Sequence, residues 1–401
     1  MRLEERLGSN VNTGDGYLMA AEVGVSLSGM EFSNYYGIVP KGSSMDKNGF
    51  NMVSTFYDAD GNVVQSGWSG AAGAGGAGGG LVGGLAAAGP APGIPRGAAG
   101  SGQKAALIRA HLQGPVFQRL DLAPPEAREG MRAQMPNFFI TLDRLGIDPF
   151  RDRYEVELVN EGTVRGTGGV RVVDDTCWTG VPGLWVAGDT ASREAIVGGS
   201  SGAGAPNAAW TISSGTWSGR AAAAHALARR SDTTGTDGAG DRTRAASATP
   251  FVGLTSTGRA GLRPTGSALP SGSWRELTEG VQAELNPPAK NGLRSAAKLD
   301  RSLRELDALW QAACSGLIGA DGREQVWARE TVAMIASGRW AYLSAAARRE
   351  SRAMHVREDF TGLDPGQRHR VLVHGVDDPQ VSFAEIEDPV VPDFEYAAKA
   401  A

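Results

Sequence analysis

Residues 12–32, NTGDGYLMAAEVGVSLSGMEF, decide how the rest of the chain is read. Gly14-Asp15-Gly16 is a turn that lets backbone come close to a partner, and Asp15 can accept from a hydroxyl or cap the helix that follows. Tyr17, Leu18, Ala21 and Val25 recur near helical spacing behind Thr13 and Asp15, so a helix and then an extended segment are expected.

A second block lies far downstream, GTGGVRVVDDTCWTGVPGLWVAGDTASREAIVGGSSGAGAPNAAWTISSGTWSGRAAA at 166–223. Within it, GLWVAGD (183–189) is a short apolar run stopped by Gly188 and Asp189, which predicts a buried strand ending in a carboxylate. Such a carboxylate can bind hydroxyl groups, and the N-terminus of a following helix favours negative charge. The Ala-rich stretch 208–229 is expected to be that helix.

Outside these blocks the composition bounds the function. The chain has 401 residues, net charge −5 and two cysteines, Cys177 and Cys314, with no CxxC pair. This gives no basic field for nucleic acid, no disulfide framework and no clustered metal ligands. A reducing, cytoplasmic setting is expected, with no membrane span and no bound metal. Two stretches, 69–103 and 230–273, hold few side chains able to offset the entropy of ordering a backbone, so both read as linkers or disordered insertions. The GxGxxG at Gly73–Gly78 lies inside the first and follows no buried strand, so it is not taken as a dinucleotide fingerprint.

Between the blocks, 51–64 reads as a hairpin around DADGN, Lys104–Leu112 as a helix, GPVFQRLDL as a strand leading to a helix from about Pro124, and RYEVELVNEG and GGVRVVDD as strands. Three amphipathic helices follow at 274–285, 292–314 and 325–352, then a hairpin in RHRVLVHGVDDPQVSFAEI and an acidic tail.

The first block is similar to the NTGDG…MA…AG…L…ME block of the succinate dehydrogenase, fumarate reductase and L-aspartate oxidase flavoproteins. The second resembles that family's later FAD contact, and ESRAMHVREDF at 350–360 resembles its ESRG.H.R.D motif. The resemblance implies FAD as cofactor, touched by Asp15, Gly16, Gly168, Gly169, Gly188 and Asp189. Further contacts fall on Asn207, Thr211 and Ile212 in one register, while matching Gly219-Arg220 shifts that register by a few positions. The ISSGTWSGRAAA portion is also similar to the adenylylsulfate reductase α subunit, which implies a ferredoxin-type iron–sulfur electron carrier as partner. The ESR motif, with Arg352, His355, Arg357 and Asp359, is read as a charged structural seam.

In that family a strand, a GxGxxG and a helix precede the NTGDG block, which here starts at Asn12, so the chain is expected to hold the C-terminal two-thirds of such a protein. The expected fold is α/β: a partial FAD-binding, Rossmann-like domain in two pieces (1–50 and 166–229), an inserted α+β cap region (51–165), a linker (230–273), a helical domain (274–360) and a hairpin with tail (361–401). The substrate chemistry departs from the family. Tyr36 stands where a Q.HPT histidine belongs, and Val164 replaces the histidine of H..MGG. Arg165, Arg119 and Tyr36 are the catalytic candidates, with Glu161 beside them as a charged neighbour. The implied function is FAD-dependent oxidoreduction of a small molecule other than succinate or fumarate. The alternative is a non-catalytic remnant or partner-binding protein that holds no flavin alone.

Overall fold

The computed structural model describes residues 12–43, 50–66, 96–162, 167–200, 204–234, 269–270, 272–317 and 319–386. Helix α1 (Asp15–Glu22) leads into the two-residue strand β1 (Leu27–Ser28) and a 3₁₀ turn at Met30–Phe32. Strands β2 (Tyr35–Pro40), β3 (Thr55–Tyr57), β4 (Val63–Ser66), β5 (Val116–Arg119) and β6 (Tyr154–Gly162) form an antiparallel sheet in the order β2-β6-β5-β3-β4. Helices α3 (Arg128–Gln134) and α4 (Pro136–Arg144) contribute to its core, where Phe50, Phe56, Phe138, Phe139, Phe150 and Tyr154 pack together. Phe138 and Phe139 meet edge to face at 5.0 Å, the arrangement that ring quadrupoles favour.

Helix α2 (Arg96–Gln113) starts inside the stretch read as a Gly-rich linker. The apolar residues Ala105, Leu107 and Ile108, all buried, give its second half a face to pack, so 96–103 is helical after all. The hairpin reading at 51–64 and the strand in RYEVELVNEG hold as β3-β4 and β6. Residues 67–95 lie outside the described residues.

The second sheet has the order β7-β1-β8-β9, with β7 (Gly169–Val170), β8 (His369–His374) and β9 (Gln380–Glu385), and is antiparallel throughout. A Rossmann-like parallel sheet is therefore not what the described residues build. A parallel ladder needs strands joined by helical crossovers, and here one parallel bridge, Val170 to Ala191, is all that this sheet carries. GLWVAGD likewise forms no strand: Trp185 makes a single bridge to Trp178, and Val186 N–H donates to Cys177 O across a tight loop.

Helix α5 (Glu194–Val197) is one turn, and α6 (Gly204–Thr234) is the Ala-rich helix, longer than expected and taking in the first five residues of the second linker stretch. Residues 235–268 lie outside the described residues. Helices α7 (Ser273–Leu285), α8 (Ala296–Gly316) and α9 (Gly322–Ala347) make the bundle. Ser295 caps α8 by accepting from Lys298 N–H, and Asp321 caps α9 by accepting from Arg323 and Glu324 N–H. Trp310 and Trp340 fill the core shared by the bundle, α1 and the second sheet; truncating either costs about 3–5 kcal/mol. Among the described residues no helix is long and apolar enough to cross a membrane.

Candidate functional site

Tyr17 joins the two sequence blocks. Its hydroxyl lies 3.2 Å from both Gly168 O and Asp189 O, so the first turn of α1, the Gly168-Gly169 pair and the Gly188-Asp189 turn meet at one side chain. Tyr17 is itself buried. Neither periodicity nor spacing marks it as more than a core residue.

The glycines in this cluster serve the chain's own packing. A Cβ on Gly168 would stand 2.6 Å from Gly29 O, one on Gly169 would stand 2.7 Å from Thr190 O, and one on Gly16 would stand 2.8 Å from Thr190 Cγ2. Only backbone without side chains fits there. Asp15 accepts from Thr13 Oγ1 at 2.5 Å and stays half-buried at the start of α1.

The Gly188–Thr190 turn is braced from several sides. Gly188 takes φ +64°, its N–H donates to Ser214 Oγ at 3.0 Å, and its carbonyl accepts from Trp210 Nε1 at 3.0 Å. Asp189 accepts from Arg193 Nη1 at 2.5 Å; the arginine is 1% exposed while the carboxylate side chain is 58% exposed. The turn thus presents an anion outward on a buried cationic support. On α6, Asn207 is half-buried and its Oδ1 has no hydrogen-bond partner among the described residues. Thr211 lies beneath Gly188 and donates back to Asn207 O, and Ile212 is 72% exposed.

The catalytic candidates are not brought together. Tyr36 is buried in β2 and its hydroxyl donates to Leu285 O at 3.3 Å; burial pushes the phenol well above its ordinary range, and Tyr342 adds to this. Arg119 sits two strands away in β5, half-buried, bonded to Asp121 at 2.9 Å and stacked over Tyr57. Arg165 and Val164 lie outside the described residues, and the structure describes only the backbone of Glu161.

Around Tyr36 the fold gathers charges that sequence reasoning missed. Lys104 Nζ, above the Tyr36 ring at 5.7 Å, donates to the carbonyls of Asn34 and Met354. Burial holds this amine well below the usual lysine range, with Arg294 adding repulsion. Arg294, fully buried, donates to Asn291 Oδ1, Glu31 O and His355 Nδ1, and burial lowers it to about 10. These partners are up to 263 residues apart, so no local pattern announces them.

The ESR motif is spent on structure. Arg348 bonds Glu31 at 2.7 Å and Glu350 at 3.0 Å, all three buried. Glu350 also takes Arg352, and Arg357 holds Asp359, whose carboxyl is lowered to about 2 by that bond. The seam joins the end of α9 to the 3₁₀ turn after β1.

Among the described residues, two antiparallel sheets, a three-helix bundle, a braced Gly-Asp turn and a buried ionic seam make up a fold similar to that of flavoprotein chains of the fumarate reductase and succinate dehydrogenase type. The chain is similar to that of E. coli quinol fumarate reductase, with TM-score 0.63 and 17% identity over 98% of this chain and 65% of that one. It is similar also to Mycobacterium smegmatis Sdh1, with TM-score 0.58 and 18% identity over 95% of this chain and 59% of the other. Adenylylsulfate reductase of the hyperthermophilic Archaeoglobus fulgidus gives TM-score 0.52 and 14% identity over 94% and 62%. The chain spans less than two thirds of the length of each. No protein-family model matches the sequence, and comparison with curated proteins finds no match.

Proposed function

We propose that this chain belongs to an FAD-dependent oxidoreductase whose cofactor lies against the Gly188–Asp189 turn, acting on a small molecule other than succinate or fumarate. The observation that carries this reading is the meeting of the two flavoprotein-like blocks at the Tyr17 hydroxyl. The acceptors at the turn suit the hydroxyl-bearing part of FAD. The exposed Asp189 carboxylate and Asn207 Oδ1, which has no partner among the described residues, would hold it, with Asp15 beside Gly16, which packs against Thr190.

Bound FAD supplies one- and two-electron transfer. The chain's residues do the rest. Arg193 fixes the Asp189 carboxylate from below, and Trp210 and Ser214 fix the Gly188 peptide, so the turn is organised before any ligand arrives. Arg119 and Arg165 remain proposed catalytic residues, while the Tyr36 hydroxyl is engaged with Leu285 O. A dicarboxylate needs free cations for two carboxylates and a proton donor. Lys104 and Arg294 are committed to protein acceptors, and the family's histidine positions hold Tyr36 and Val164. An iron–sulfur carrier of ferredoxin type is the proposed electron partner.

Flavin retention tests the site. Asp189→Ala should lower bound FAD at least tenfold, the worth of a charge-assisted hydrogen bond of about 1.5–3 kcal/mol. Asp300→Ala, which removes an exposed pair with Arg304 on α8, should leave bound FAD unchanged. Equal flavin in both variants refutes the assignment. Fumarate reduction by viologen-reduced, flavin-loaded protein is expected to be negligible, and robust turnover overturns the substrate reading. A second reading, a partner-binding protein without flavin, draws on the glycines whose spaces the chain's own backbone fills; purified protein that stays colourless with FAD in excess decides for it.

A further inference from the structure

Glu194 follows the braced turn by a few residues, and its carboxyl occupies an unusual seat. Gly29, at φ +70°, lies directly against it: a Cβ there would stand 2.7 Å from Glu194 Cδ. Glu194 Oε2 accepts from Ser28 Oγ and, at 3.4 Å, from Ser192 Oγ. Ser192 N–H in turn donates to Val170 O at 2.9 Å and Arg193 N–H to Thr167 O at 2.8 Å. The seat of Glu194 is therefore continuous with the bonds that anchor the Asp189–Arg193 pair to β7.

A second carboxyl shares the neighbourhood. Glu31 is 0% exposed; Arg348 Nε bonds its Oε1 at 2.7 Å, while its Oε2 is buried with no partner among the described residues. Two carboxylates in one low-dielectric cluster do not both ionise without cost. Burial raises the Glu31 carboxyl, and Arg348, committed to Glu31 and Glu350, pulls it back toward the charged form.

We propose that Glu194 is a protonatable latch for the Gly188–Asp189 turn, seated over Gly29 when neutral and expelled from that seat when ionised. A neutral Glu194 keeps its serine bonds and adds an O–H donor to a cluster that contains an unsatisfied acceptor oxygen. An ionised Glu194 is repelled by the charge on Glu31. The charged groups that face it from other elements are Glu31 on the 3₁₀ turn, Arg348 after α9 and Arg370 on β8; Arg193 and Asp189 lie on its own segment. Burial, then Glu31, raise the Glu194 carboxyl to about 7, against the pull of Ser28, Arg370 and Arg348. The latch therefore works within the ordinary range of cellular pH. Its consequence for a cofactor at Asp189 rests on the proposed flavin reading; the latch itself does not.

The test is amide hydrogen exchange of peptides covering 186–197 in the flavin-free chain, corrected for the intrinsic pH dependence of exchange. Wild type should lose about tenfold in protection between pH 6 and pH 8.5, since ionisation of a group near 7 is then more than nine-tenths complete. Glu194→Gln, which keeps the seat filled without a titrating proton, should be equally protected at both values. Gly29→Ala should be loosened at both, because its methyl displaces the carboxyl. Constant protection in wild type overturns the latch, as does the same loss in Glu194→Gln. Neither outcome depends on flavin content, so failure here is separate from failure of the cofactor assignment.

Discussion

The chain uses arginine–carboxylate pairs in two opposite ways. In the seam, Arg348 and Glu31 are both buried, and Arg348 is held further by Glu350 and by the carbonyls of Gln367 and His369. At the turn, Arg193 is buried but its partner Asp189 is 58% exposed. Removing Arg348 leaves two buried carboxylates without their shared cation, whereas removing Asp189 deletes a group that water already reaches and takes one partner from the buried Arg193. The difference separates a carboxylate that the protein encloses from one that solvent reaches, and the proposed cofactor site rests on the second.

The comparison is broken most sharply at the seam. Arg348→Ala should destabilise by about 3–5 kcal/mol, read from the urea midpoint, because Glu31 and Glu350 lose their shared cation. A loss under 1 kcal/mol would mean that the seam is no more structural than the turn. Gly168→Ala comes next, at about 1–3 kcal/mol, since its methyl meets the fixed backbone of Gly29 and Met30.

His355 sharpens the comparison through pH. Its Nδ1 faces Arg294 Nη1 at 2.9 Å and its Nε2 faces Arg348 O at 3.2 Å, so the tautomer that accepts at Nδ1 and donates at Nε2 satisfies both. Burial and then Arg294 hold its pKa well below the ordinary histidine range. The folded state binds this proton less readily than the unfolded state. Its contribution is therefore full above about pH 6.5 and falls, by up to about 1.4 kcal/mol per pH unit, as pH drops below that value. Urea melts from pH 8 to pH 5, compared with His355→Gln, check the slope; parallel curves for the two proteins would contradict it. The smallest effect belongs to the turn: Asp189→Asn keeps an oxygen that accepts from the buried Arg193 and should change stability by less than about 1 kcal/mol, and a larger loss would place Asp189 with the seam.

What the sequence announced and what it concealed divide along contact range. The helices of the bundle were legible from periodicity, and α1 from its Gly-Asp turn, because both signals are local. The Asp189 turn was legible as a motif, but GLWVAGD misled as a strand: an apolar run bounded by glycine forms one only if a neighbour offers a ladder, and Trp178 offers a single bridge. Arg96–Gln103 misled in the other direction, since the apolar positions that give this helix a packing face come later, at Ala105, Leu107 and Ile108. Lys104, Arg294 and Glu194 were invisible as a set because their partners lie on distant parts of the chain.

The second sheet carries a consequence for biosynthesis. Leu27 pairs with both Val170 and Val373, so this strand waits for a partner made about 346 residues later. At about 5–20 residues per second, that interval is about 17–70 s. Throughout it, β1 has one edge open and the apolar residues of α1 lack the bundle that covers them. Until then the nascent chain carries a sticky segment, and a holding chaperone on the ribosome should raise the yield of native protein more than any later aid to refolding.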